Sequence, residues 1–242
     1  MMKMIDTIFF DNWNTLVQAP NLMKRGSSTK IFHEYLLDNG IDIPYDSFIS
    51  AYVPISRKQV EEADRAGYKE LDYKNRLERV FKFLDVEDYQ LLAERAWKIY
   101  LNEWPKQTEF FPATRKILDG LKGNYKLGLI TNYMDGPTCR EVFNKLGYYE
   151  IFDSLVVSAE LGYRKPAEVI FEQALKEIGS ESGSSLMVGD TFEADIVGAN
   201  SMGMKNILVD VYDNQHENYH ECTAVIKDIS QFPEGLRKIL NA

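Results

Sequence analysis

Cysteine is almost absent from this chain: Cys139 and Cys222 are the only two in 242 residues, far apart and without CxxC spacing. That excludes a disulfide-stapled scaffold and fits a reducing compartment. No uninterrupted apolar run approaches the ~20 residues that a membrane-spanning helix needs. The opening Met1-Met2-Lys3-Met4 resembles the start of a signal peptide, but Asp6 and Asp11 interrupt the apolar stretch before a hydrophobic segment is complete. The protein is therefore expected to be cytoplasmic. There is no basic run either, and a formal net charge of −9 sets the molecule's field against nucleic acid and anionic membrane surfaces. Internal repeats, low-complexity segments and flexible linkers are also missing.

What is present is ordinary for a globular chain, with 45% hydrophobic, 12% aromatic and 27% charged residues. The length is enough for one large domain or a domain with an insert. Residues 4–10 are nearly all apolar, the pattern of a strand buried on both faces of a parallel sheet. Similar strands are expected at 126–131, 154–158, 185–189 and 206–210, with helical patterns between most of them and a last strand and helix at 224–226 and 233–240. Alternation of this kind implies an α/β fold, a Rossmann-like doubly wound parallel sheet. Residues 20–105 differ in character and carry the periodicity of four amphipathic helices, at 29–39, 45–65, 71–84 and 88–102. Gly40 and Gly67 supply stops, and Pro54 is expected to kink the second helix. We expect this insert to be a helical-bundle cap over the strand ends of a core made of 1–19 and 106–242. The chain is expected to return to the sheet near 110–112 and to continue into a helix over 113–122.

Ligands of doubly wound sheets bind beyond the carboxyl ends of the strands. Asp11, Thr131 and Asp190 all fall at such ends. Core packing alone would not ask for three polar residues there.

Four stations along the chain carry a family resemblance. They are Phe10-Asp11-Asn12-Trp13-Asn14-Thr15-Leu16, Leu129-Ile130-Thr131-Asn132, Arg164-Lys165-Pro166, and Val188-Gly189-Asp190-Thr191-Phe192-Glu193-Ala194-Asp195. Each alone is weak, since strand-end polar residues are common as caps and ion pairs. Together and in this order, over nearly the whole chain, they resemble the haloacid dehalogenase superfamily, in the branch with a helical cap inserted after the first motif. The resemblance implies that Asp11 is a nucleophile, which splits a hydrolysis into formation and breakdown of an aspartyl intermediate. It implies that Thr131 and Asn132 hold phosphoryl oxygens, and that Mg²⁺ is held by Asp11, Asp190 and the backbone carbonyl of Trp13, with Asp195 in or just behind the metal shell. Lys165 would add a positive charge on the opposite side. Asp195 could instead cap a helix near Ile196. The implied partner is a small phosphorylated metabolite, with no nucleic acid and no membrane; oligomeric state is not legible.

One departure bears on the chemistry. The family's phosphatases carry a second Asp two residues after the nucleophile as general acid and base, and here that position is Trp13, a residue expected to line the substrate pocket. The Gly that commonly follows is Asn14. Loss of a positioned general acid costs about 10²–10⁴ in rate. Asp135, Tyr133 and Glu193 are the substitutes nearest the strand ends. Lys24, Arg25, Arg57 and Lys58 in the insert could bind substrate, but they read better as solvated charge. His216 and His220, with Glu217 and Glu221, have the spacing of a metal pair but read better as a polar surface segment. Trp97 and Trp104 read as packing residues. The leading reading is a Mg²⁺-dependent phosphatase. A 2-haloacid dehalogenase stays open, since a halide needs no proton and those enzymes also carry an aromatic at the Trp13 position, although they usually lack the acid at Asp190. A phosphonate-cleaving enzyme and a catalytically weak binder of phosphometabolites or proteins stay open as well.

Overall fold

The stretch Thr7–Phe10 is buried at all four positions, and residues of this kind make a stable strand only when both faces and both edges are covered. This strand, β1, meets that condition by lying in the middle of a parallel sheet. The computed structural model describes residues 5–24, 26–211 and 218–241. Among them the chain divides into two compact units, Met1–Gln18 with Glu109–Ala242, and Ala19–Thr108.

In the first unit the short strands β2 (Val17–Gln18) and β3 (Glu109–Phe110) pair antiparallel at the point where the chain leaves and re-enters the unit. Two residues each are too few to give a periodic signal, and the sequence reading has no counterpart for this ribbon. The main sheet adds β4 (Lys126–Thr131), β5 (Ser154–Val157), β6 (Ser185–Gly189), β7 (Lys205–Val209) and β8 (Ala224–Ile226), in the order β5-β4-β1-β6-β7-β8, parallel throughout. The expected strand at 206–210 is shifted by one residue, and the first strand starts at Thr7.

The chain builds one half of the sheet outward from β1 through β4 to β5, then crosses to β6 and builds the other half. β1 and its neighbours β4 and β6 are thus the topological switch point, where loops at the carboxyl ends diverge and leave a crevice. Gly128 in β4 lets this centre close: a Cβ there would lie 2.4 Å from the Phe9 ring. Phe9 in turn packs with Ile130, Val156, Ile170, Phe171 and Met187 in one fully buried cluster.

The second unit holds α1 (Ser27–Asp38), α2 (Tyr45–Arg65), α3 (Tyr73–Phe83) and α4 (Tyr89–Gln107). Their apolar stripes supply its core, with Phe32 and Leu36, Phe48, Leu77, Val80 and Phe81, and Ala93, Ala96 and Tyr100. Asp72 caps α3 by accepting from Asn75 N at 2.8 Å. Trp97 stacks on Tyr73 at 5.8 Å, and the buried Trp104 meets Tyr100 edge-on at 5.9 Å, so both serve packing within this unit. The fourth helix runs past the expected end at 102, through Pro105, to Gln107.

Back in the first unit, α5 (Thr114–Leu121), α6 (Gly136–Leu146), α7 (Ser158–Leu161), α8 (Glu168–Ile178), α9 (Val197–Ser201) and α10 (Phe232–Leu240) connect and flank the strands. No helix among the described residues is long and apolar enough to cross a membrane.

Candidate functional site

Phe10, the last residue of β1, hands the chain to Asp11, β4 ends on Thr131, and Gly189 at the end of β6 hands it to Asp190. Asp11 and Asp190 thereby line one crevice, whereas Thr131 is buried and does not line it. Lys165 comes from the loop ahead of α8, and its ammonium is 1% exposed. It donates to Asp11 Oδ1 at 2.6 Å, to Asp195 Oδ1 at 2.6 Å and to the Ile130 carbonyl at 2.7 Å. An ammonium has three N–H groups, so every one of them is committed within the protein. Lys165 thus bonds two of the carboxylates directly.

Two residues hold Lys165 and Asp195 in place. Asn132 accepts from Lys165 N at 2.7 Å through Oδ1 and donates to the Lys165 carbonyl at 3.0 Å through Nδ2. Its amide therefore braces the Lys165 backbone. Asp195 lies within the π-helical turn Phe192–Ile196, and its Oδ2 accepts from Thr191 N, the residue preceding that turn, at 2.9 Å. Capping and the bond to Lys165 coexist in one carboxylate. This fold-back needs Gly189, where a Cβ would lie 2.2 Å from Asp195 Oδ2.

Asp190 is half-buried and accepts from Asn14 Nδ2 at 3.1 Å. Asn14 adopts a left-handed φ of 57°, a conformation Asn tolerates better than most residues other than Gly. One oxygen each of Asp11, Asp190 and Asp195 lies within 4.8 Å of the others. Three acids against one ammonium would, if all were ionised, leave an excess of two negative charges. Burial pushes the Asp11 carboxyl up to about 6, assisted by Asp195 and opposed by Lys165. Burial and the charges of Asp11 and Asp195 push Asp190 up to about 8. Burial works against the charge of Lys165, but Asp11 and Asp195 outweigh it and hold the ammonium above its ordinary range.

The acids suit a hard divalent cation, because hard oxygen donors carrying surplus negative charge are what Mg²⁺ binds. The cavity over this cluster measures about 130 Å³, and Trp13 and Asn132 line it with the charged residues. Trp13 is 8% exposed and stacks on Tyr133 at 5.0 Å and 26°. Thr131 is fully buried, and its hydroxyl has no hydrogen-bond partner among the described residues.

The other candidates lie elsewhere or are engaged. Asp135 caps α6, accepting from Thr138 N at 2.9 Å and Thr138 Oγ1 at 2.6 Å. Glu193 is exposed and does not line the cavity. Arg57 and Lys58 are exposed on α2, Lys58 facing Glu62 at 3.8 Å, and Lys24 donates to Asn21 at 3.3 Å. His220 is exposed in a short turn; its suggested partners His216 and Glu217, like Arg25, lie outside the described residues. Two participants escaped the sequence reading. The Ile130 carbonyl carries no sequence signal at all, whereas a Gly directly before a strand-end Asp was a legible sign of close approach.

Residues 36–209 match the family described as haloacid dehalogenase-like hydrolase. Over its length the chain is 31% identical to a glyceraldehyde 3-phosphate phosphatase of Methanothermobacter thermautotrophicus, covering 96% of this chain and 100% of the relative. It is 28% identical to a ribulose-1,5-bisphosphate 5-phosphatase of Halopiger xanaduensis, covering 86% and 85%. Its fold resembles the crystal structure of a 2-haloacid dehalogenase from Pseudomonas syringae pv. Tomato DC3000, with a TM-score of 0.75, 23% identity and coverage of 98% and 100%.

Proposed function

The chain belongs to the haloacid dehalogenase-like hydrolases, and from that premise we propose that it is a Mg²⁺-dependent phosphatase in which Asp11 attacks the phosphorus of a small phosphorylated metabolite. The observation that carries this reading is the buried cluster of Asp11, Asp190 and Asp195 around a single Lys165. The two relatives named above act, by their names, on small phosphate esters.

Asp11, Asp190 and the Trp13 carbonyl would hold the cation, with Asp195 just behind them, since both Asp195 oxygens already accept hydrogen bonds. Bound Mg²⁺ would supply the charge that lets a carboxylate approach an anionic phosphate. Asp11 supplies the nucleophilic oxygen. Lys165 fixes its orientation and favours its ionised form. Thr131 offers a buried hydroxyl for a phosphoryl oxygen, and Asn132 keeps Lys165 where Asp11 needs it. In this reading the helical unit is the cap that selects substrates.

A second reading is 2-haloacid dehalogenation, favoured by the apolar Trp13–Tyr133 stack beside Asp11, because a departing halide needs no proton. The likeness to a solved dehalogenase shows the fold alone. A panel of phosphorylated metabolites and 2-haloacids, assayed with Mg²⁺ and with excess chelator, separates the two. We expect Mg²⁺-dependent phosphate release, abolished in Asp11→Asn while the circular dichroism spectrum is unchanged. Full activity in chelator would reject the phosphatase reading, and halide release would replace it.

A further inference from the structure

Resting on the reading of Asp11 as the attacking carboxylate, we infer that this pocket expels its leaving group without handing it a proton. Its substrates are therefore phosphate esters or anhydrides whose leaving oxygen is stable as an anion, namely aryl, enol or acyl phosphates rather than alkyl phosphates.

Among the described residues, none of those lining the pocket has a proton to give the leaving oxygen. Asp11 and Asp190 would hold the cation, and in that state they carry no proton to donate; both Asp195 oxygens accept hydrogen bonds from Lys165 and Thr191 N. Lys165 commits its three N–H groups to Asp11, Asp195 and the Ile130 carbonyl, so it has none for a substrate unless the cluster opens. Asn14, Asn132 and Ala194 have no ionisable proton, and the Thr191 hydroxyl lies beside Asp190 at 3.4 Å with no acid to relay through it. The remaining wall is the Trp13 indole, an N–H that does not ionise in this range. Tyr133 stacks behind Trp13, is 3% exposed and does not line the cavity. Asp135 accepts two hydrogen bonds at the start of α6 and does not line the cavity.

The balance then runs in two steps. An Asp11 oxygen bonds to phosphorus, and the bond from phosphorus to the leaving oxygen breaks, its electron pair departing with that oxygen as an anion. Water next bonds to phosphorus, and the bond from phosphorus to the Asp11 oxygen breaks, restoring the carboxylate. The proton that water releases matches the one that the departed anion takes up from solvent. No proton passes through a protein side chain in the first step, so the rate of that step follows the basicity of the leaving oxygen.

The test is a series of substrates alike in size but not in leaving-group basicity, from 4-nitrophenyl through phenyl to benzyl phosphate, with wild type in excess Mg²⁺. The readout is kcat/KM, which reports the first irreversible step. We expect it to fall about 10²–10⁴-fold across the series, the span that a positioned acid would otherwise remove. A fall of less than tenfold means that an acid serves the pocket and overturns the inference. Asp11→Asn on 4-nitrophenyl phosphate separates the two levels of the argument. Loss of turnover there, together with a flat series in wild type, would overturn this inference and leave the phosphatase reading standing. Persistence of turnover, or no turnover of any probe by wild type, would overturn both.

Discussion

Lys165 in the sheet unit and Arg76 in the helical unit are both long cationic side chains taken out of water, at 1% and 5% exposure. They are compensated in opposite ways. Lys165 meets two carboxylates at 2.6 Å. Arg76 meets no carboxylate within ion-pair distance among the described residues. Its guanidinium lies 4.6 Å from the centre of the Tyr73 ring, donates to Gln59 Oε1 at 2.8 Å, and approaches the Tyr52 hydroxyl at 3.4 Å. Arginine suits such a place, because its planar, weakly hydrated charge stacks on aromatic faces where a lysine ammonium would be poorly solvated. Packing alone accounts for Arg76. Lys165 is different, because it sits among three carboxylates, an arrangement that stability does not ask for and that the proposed attack by Asp11 would use.

Removing the cation tests this contrast most strongly at Lys165. Lys165→Met strands two buried carboxylates, and breaking a buried pair in this way costs about 3–5 kcal/mol, a fall in Tm of roughly 10 °C or more. Hydrolysis should drop by at least about 10³-fold, on the scale seen when a preorganised charge is lost from a reacting centre. Calorimetry and turnover on the same preparation check both. A variant that keeps wild-type activity would show that the cluster is structural.

The surplus negative charge also predicts how stability follows pH. Asp11 and Asp190 titrate higher in the folded chain, at about 6 and about 8, than the ordinary 3.8 for Asp. In that window the folded state binds more protons than the unfolded one, so these groups remove stability as pH rises. A divalent cation replaces those protons. The stabilisation on adding Mg²⁺, read as a rise in Tm, should therefore be larger at pH 8 than at pH 5, and approaches about 2.7 kcal/mol at a hundredfold excess over Kd. Equal rises at both pH values would show that the acids do not bind the cation.

The smallest effect is expected at Arg76. Arg76→Met removes a charge that no carboxylate balances and keeps much of the packing volume. The lost hydrogen bond to Gln59 and the stacking on Tyr73, about 1 kcal/mol each, oppose the relief from burying a cation. The net change in stability should stay within about 1 kcal/mol, and chemical denaturation measures it. A loss as large as that of Lys165→Met would end the contrast and point to an anion that belongs against Arg76.

Much of this could be read from the amino-acid sequence alone. The apolar run into Asp11, the similar strand at 126–131 ending on Thr131, and the 3.6-residue periodicity of the helix at 45–65 are local properties. The α/β class follows from their alternation, and the strand-end acids stand out because a buried strand has no other use for them. What only the tertiary structure decided is where each proton and each charge goes. The three partners of the Lys165 ammonium lie 154, 35 and 30 residues away along the chain, and Asn132 reaches Lys165 across 33. The burial of Arg76 against Tyr73 and Gln59, and the fold-back of Asp195 onto the carbon where Gly189 has no side chain, are settled in the same way. Hydrogen bonds in a low-dielectric interior are assigned by competition among all the groups that packing brings together, and no window of sequence contains those competitors.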